Sequence, residues 1–151
     1  MTQRARQTVR ALTQAQRVRN VQSQAARADL DRALLTLNAA RHDLAAAEAK
    51  RSEDMDHWNR ALASEAFDTH AARYWPVAVA ESQARVDEQE DAAASATQTA
   101  DLAQVAWRTA TNRADAVARP LKRARRRLDQ AIEDRGLNEA ADRFLTRGHR
   151  P

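Results

Sequence analysis

From Met1 to Ala72 the chain contains neither a glycine nor a proline, and only Pro76, Pro120, Gly136, Gly148 and Pro151 punctuate the remainder. Glycine and proline are the usual turn formers, so their scarcity leaves room for very few changes of direction. Five or six short helices would need more punctuation. What fills the space is alanine, 36 of 151 residues, in a chain 30% charged and only 4% aromatic. A sequence dominated by Ala, Glu, Leu and Arg, with few large apolar residues, points to long helices paired as a coiled coil rather than to a compact globule.

The few punctuating residues divide the chain. In ARYWPVA, Pro76 suits the first turn of a new helix, where a missing N–H has no partner to lose. Gly136 stands where a helix commonly ends in a left-handed cap, and Asn138 can cap a short helix after it. The expectation is an all-α protein, a single long two-helix antiparallel coiled-coil hairpin with a short C-terminal helical tail. Helix 1 covers about 3–72, the hinge about 68–76 and helix 2 about 76–135 with a bend near Pro120. A short helix over about 138–146 precedes a frayed RGHRP tail.

Periodicity supports two long helices. Steps of three and four run Val79, Ser82, Val86, Gln89, Ala93, Ala96, Ala100, Ala103, Trp107, Ala110, Ala114, Val117, Leu121, Ala124, Leu128, Ala131 and Arg135. Alanine alone could mislead here. Among the ten large apolar residues between Val77 and Arg135, six fall on this line, where two positions in seven would place about three. The first half offers Leu30, Leu34, Leu37, Arg41, Leu44, Glu48, Arg51, Met55, Trp58 and Leu62. An offset run of Val18, Val21, Ala25 and Ala28 implies a stutter near Ala28. With the hinge at 68–76, facing residues have numbers summing to about 147, which sets Leu37 opposite Ala110 and Trp107 near Ala40. Leucines of one helix then pack on alanines of the other, large against small. The product is a thin rod with little core and modest stability.

Charge is distributed unevenly along such a hairpin. The first 28 residues carry Arg4, Arg6, Arg10, Arg17, Arg19 and Arg27 and no acid. The stretch ARPLKRARRRL at 118–128 carries six positive charges from Arg119 to Arg127. Leu121, Ala124 and Leu128 hold the seam there while the arginines point outward, and Pro120 removes one helical hydrogen bond. Folding back brings these two basic segments together, and their mutual repulsion calls for an acidic partner. Between Glu81 and Asp101, six acids face Arg85 alone.

Several functions are disfavoured. No cysteine is present, so there is neither a disulfide framework nor a thiolate metal site. No apolar run approaches membrane-spanning length, and the Arg-rich start lacks the apolar core of a signal peptide, which makes the cytoplasm the expected location. Glu53 and His57 share a helix face within EDMDH, yet such pairs are more often surface ion pairs than metal ligands, and His42, His70 and His149 have no partners at ligand spacing. A two-helix rod offers no water-restricted cleft for catalysis. The expectation is a non-enzyme with no cofactor.

The hinge ARYWPVA, the helix AVARPLKRARRRLDQAIEDR and the closing LNEAADRFLTR together resemble the FliJ/YscO-type central stalk proteins of flagellar and type III secretion export. The resemblance covers nearly the whole chain as architecture. It implies a coiled-coil stalk whose terminal helices enter the pore of a hexameric export ATPase while the hinge end contacts the export gate, at the cytoplasmic face of the apparatus. It implies an escort role for secretion chaperones as well. Carried onto this sequence, Arg4, Arg6, Arg10, Arg119, Lys122, Arg123, Arg125, Arg126 and Arg127 form the ATPase-facing group, and Tyr74, Trp75 and Val79 the gate-facing one. Trp75-Pro76 departs from a smooth helical aromatic spacing and bears directly on the gate contact. Three other readings stand beside it. A basic coiled coil that binds nucleic acid fits the isoelectric point near 10.5, although the acidic stretch opposes it. A membrane-surface helix lacks the Trp/Phe/Leu face that enters lipid. A dimerising coiled coil could use Leu102 and Val105, which lie off the seam.

Overall fold

In the computed structural model, which describes residues 2–66 and 68–147, the chain forms two long α-helices packed against each other. Helix α1 spans Thr2–Ala63 and α2 spans Thr69–Arg147; the side chains of Thr2 and of residues 145–147 are not described. Gly148–Pro151, including His149 and most of the expected frayed tail, lie outside the described residues. The packing divides into two units. Unit 1 joins Met1–Ala26 to Ala106–Pro151, and unit 2 is Arg27–Val105.

The turn falls earlier than expected, at 64–68 rather than 68–76. Asp68 is the reason. Its carboxylate Oδ1 accepts the backbone N–H of His70 at 2.9 Å, and its carbonyl accepts the N–H of Ala72 at 3.0 Å. This is an aspartate N-cap satisfying donors that the first turn leaves orphaned. Ser64 closes the other side, its hydroxyl donating to the carbonyl of Ala66 at 3.3 Å. The chain reverses between Ala63 and Thr69 without glycine or proline, and Pro76 falls inside α2 rather than at its start.

The late punctuation is absorbed in the same way. Helix α2 runs through Pro120, through Gly136 and on to Arg147, so the separate helix expected at 138–146 is the end of α2. No described residue has a positive φ, so Gly136 does not form the left-handed cap.

Moving the turn moves the register. In unit 2, Ala33 and Leu37 cluster with Ala96 and Ala100, with Ala40 and Ala103 packed alongside. Arg51 donates to Gln83 at 3.0 Å. In unit 1, the hydroxyls of Ser23 and Thr111 lie 3.1 Å apart. Within each unit, high numbers on α1 meet low numbers on α2, so the segments run antiparallel. The paired numbers sum to about 134, close to twice the centre of the turn at 66. Leu37 therefore sits on Ala96 and Ala100 rather than Ala110, and Ala40 belongs to that same cluster rather than facing Trp107. Leucine on alanine survives as the packing principle, because close approach of small residues leaves room for the larger knob.

Burial follows the heptad in both helices. Of the α2 line from Val79 to Arg135, Arg135 alone is exposed. On α1 the frame differs from the expected one by one row of residues. In unit 2 it runs Leu30, Ala33, Leu37, Ala40, Leu44, Ala47, Arg51, Asp54, Trp58 and Ala61, all buried or half-buried. Leu34, Met55 and Leu62 stand off it at 41%, 44% and 51% exposure. In unit 1 it runs Ala5, Val9, Leu12, Gln16, Arg19, Ser23 and Ala26. The step from Ala26 to Leu30 is a regular four, so α1 has no stutter at Ala28. Val18, Val21, Ala25 and Ala28 are exposed and belong to a different face.

Gly136 gives a direct test of the continuous helix. Nothing lies within 4 Å of a Cβ added there, and Gly in an exposed helix interior is less stable than Ala by about 1 kcal/mol. Gly136→Ala should raise the urea midpoint followed by circular dichroism. A left-handed cap at this position would give the opposite sign.

Candidate functional site

The two units carry opposite charge. Unit 1 holds 17 basic and 6 acidic residues, and unit 2 holds 8 and 15, so the chain's formal +4 resolves into +11 and −7. The arrangement has a local cause. Leu121 is buried and Ala124 and Leu128 are half-buried on the seam, which forces Arg119, Lys122, Arg123, Arg125, Arg126 and Arg127 outward.

Arg4, Arg6 and Arg10 are exposed on the α1 segment of the same unit. None of these nine cations lies within ion-pair distance of a described carboxylate. Three of them converge. Arg4, Arg123 and Arg127 line an open cleft of about 580 Å³ together with Ala5, Thr8, Leu12, Pro120, Ala124 and Ala131. Arg6, Arg10, Arg119, Lys122, Arg125 and Arg126 lie outside that lining and spread over the surface. A largely apolar lining with three guanidiniums that have no described carboxylate partner is chemically suited to an acidic partner with apolar side chains, since guanidinium binds carboxylate or phosphate in bidentate geometry.

At the turn, Trp75 is half-buried and stacks on His57, ring centroids 4.9 Å apart and 4° from parallel. Tyr74 meets Trp75 edge-on at 5.0 Å and 78° and is 63% exposed. Val79 is half-buried and, four residues beyond Trp75, continues the seam. Tyr74 is thus the outward member of the three, while Trp75 and Val79 face the partner helix. His57 is also tied to its own helix. Its Nδ1 accepts from Arg60 at 3.1 Å and its Nε2 lies 3.7 Å from Glu53. Among the described residues no group of three His, Asp or Glu side chains gathers in a way that could hold a metal ion.

One constellation is not apparent from the expected α1 frame. Asp54 occupies a seam position and is only 4% exposed. Its carboxylate accepts a hydrogen bond from Lys50, one turn earlier on α1, and Ser82 stands beside it from α2. The hydrogen bond from Lys50 holds the Asp54 carboxyl below its ordinary value, against the opposing effect of burial. The same bond raises Lys50. A charge in a seam disfavours registers in which it would lose its partner. Its signal in the sequence is a Lys/Asp pair at i, i+4, visible once the frame runs through Asp54 rather than Met55.

Because Asp54 is depressed, its stabilisation is present above the ordinary value of 3.8 and is lost as pH falls through the lower folded value. Lys50 is raised, so its share persists up to 10.5 and is lost above it as pH passes the folded value. In thermal melts, wild type should exceed Asp54→Asn at pH 7, with the gap closing below pH 3.8. A gap that does not change with pH contradicts this assignment. No protein-family model matches the chain, and neither a curated protein nor a solved structure matches it.

Proposed function

We propose that the protein is a non-enzymatic coiled-coil stalk or adaptor of a bacterial flagellar or type III secretion export apparatus. In this reading unit 1 enters the pore of a hexameric export ATPase and the turn end meets the export gate. The observation that supports it is the joining, in one unit of net charge +11, of an acid-free start and an arginine cluster without described carboxylate partners. Both helices of the unit expose guanidiniums, Arg4, Arg6 and Arg10 on one and the 119–127 cluster on the other, which suits acidic groups on a surrounding ring. Tyr74, in the first turns of α2 and exposed, is the one of Tyr74, Trp75 and Val79 best placed to reach a gate protein. Escort of secretion chaperones belongs to the same reading, as does a location at the cytoplasmic face of the apparatus. No helix among the described residues is long and apolar enough to cross a membrane.

A nucleic-acid-binding coiled coil is the second reading, and the division of charge favours it too. The acidic residues that would repel a phosphate backbone belong mainly to unit 2, leaving the cations of unit 1 for phosphate contacts.

Reversing Arg123, Arg125, Arg126 and Arg127 to glutamate changes the charge of unit 1 by eight without touching the seam. The stalk reading predicts that the wild-type protein stimulates the hexameric export ATPase and that this variant does not, with helicity retained. An unchanged ATPase response in the variant rejects the assigned role. Stimulation absent in both, with a salt-dependent mobility shift of DNA or RNA by wild type alone, selects the second reading.

A further inference from the structure

Helix α1 carries a second heptad line that no described residue covers. In unit 1 it runs Ala11, Gln14, Val18, Val21 and Ala25, and in unit 2 Ala28, Arg32, Leu35, Ala39, His42, Ala46 and Ala49. The steps alternate four and three, as in the inner seam. Nine of the twelve positions are apolar, where the chain's overall 43% would place about five. All twelve are exposed, Val21 at 64% and Leu35 at 69%. The rows flanking the line are largely polar, from Arg10, Arg17 and Gln24 to Asp31 and Asn38. The corresponding outward line of α2 from Ala84 to Ala116 has four apolar residues in ten, so the pattern belongs to α1 alone. A helix with apolar rows on two faces and charge confined to the rows between them is patterned for two partners.

We propose that this outer face of α1 binds the same face of a second copy of the chain, antiparallel, about a two-fold axis near residue 30. The proposal does not depend on the export-stalk reading. Two features of the line select a second copy in that orientation. The first is shape. Antiparallel pairing across a sum of 60 sets Val21 against Ala39 of the second copy, Leu35 against Ala25 and Arg32 against Ala28, large on small around the centre, with Val18 against His42 and Ala11 against Ala49 toward the ends. A parallel pair would stack Val21 on Val21 and Arg32 on Arg32, with gaps at every alanine. The second is charge. Residues 2–26 of α1 hold five arginines and no acid, while 34–58 hold five acids and three bases. Antiparallel pairing sets these segments against each other; parallel pairing sets the acid-free segment against itself. Near the axis, Arg27–Asp31 at 3.1 Å and Arg32–Asp29 neutralise the rim within each chain.

The size of the face also fits a dimer. Thirty-eight steps from Ala11 to Ala49 make a contact of roughly 57 Å, about 10 Å wide. Two chains would bury about 1,100 Å², near the lower bound for specific association, so the dimer is reversible. An isologous contact closes on itself and does not propagate into fibres.

Sedimentation equilibrium on the full chain, at a concentration on the order of 100 µM so that micromolar dissociation constants are exceeded, should give twice the 16.9 kDa chain mass. Val21→Glu with Leu35→Glu should return it to one chain mass with helicity unchanged. The sequence has no cysteine, so orientation can be read directly. Mixed oxidation of Val21→Cys with Ala39→Cys should yield the heterodisulfide. A wild-type monomer, or a dimer insensitive to the double glutamate variant, overturns the proposal. Homodisulfides of the Val21→Cys variant in place of the mixed product overturn the antiparallel arrangement.

Discussion

Alanine packing at heptad spacing underlies every other feature of this fold. In unit 2, Ala33, Ala96 and Ala100 are buried with Leu37 in one cluster. Each alanine contributes little apolar area, but its smallness admits a leucine knob from the facing helix. Alanine also has the highest helix propensity, so the residue that permits the packing is the one that favours the backbone carrying it. The seam stabilises through many thin layers, and no single layer dominates.

Because the layers are nearly alike, the seam alone specifies register weakly. The distinctive features do more of that work. Asp68 fixes where the chain turns, and the centre of the turn sets the pairing sum. Asp54, held by Lys50 beside Ser82, is the one buried charge in the seam among the described residues, and a one-step slip would separate it from Ser82. The stacking of His57 on Trp75 anchors the turn end of unit 2. Within unit 1, register determines which cations gather, and the cleft lined by Arg4, Arg123 and Arg127 depends on it.

The sequence discloses these levels unequally. The α2 seam is readable residue by residue from Val79 to Ala131, because its large apolar residues are rare enough to mark a line against the alanine background. On α1 the same background misleads. Leu30, Leu34, Leu37 and Leu44 admit two frames, and the one through Leu34 and Met55 hides both Asp54 and the second apolar row. Val18 and Val21 then resemble a stutter, when they belong to an outward face. Proline is a louder signal than an aspartate cap, which favours a turn at Trp75-Pro76, yet Pro76 and Pro120 are both accommodated inside α2. Gly136 misleads for the same reason. The outward placement of the 119–127 cations follows from Leu121 and Leu128 alone.

The pairing register is the claim on which the cleft, the buried aspartate and the charge division all rest, and chemical crosslinking reads it most directly. Ser23→Cys with Thr111→Cys, introduced into a chain that has no cysteine of its own, should close an intramolecular disulfide under mild oxidation, since the native hydroxyls are 3.1 Å apart. Failure of that pair, together with closure of Ser23→Cys with Ala124→Cys at a sum of 147, would contradict the account.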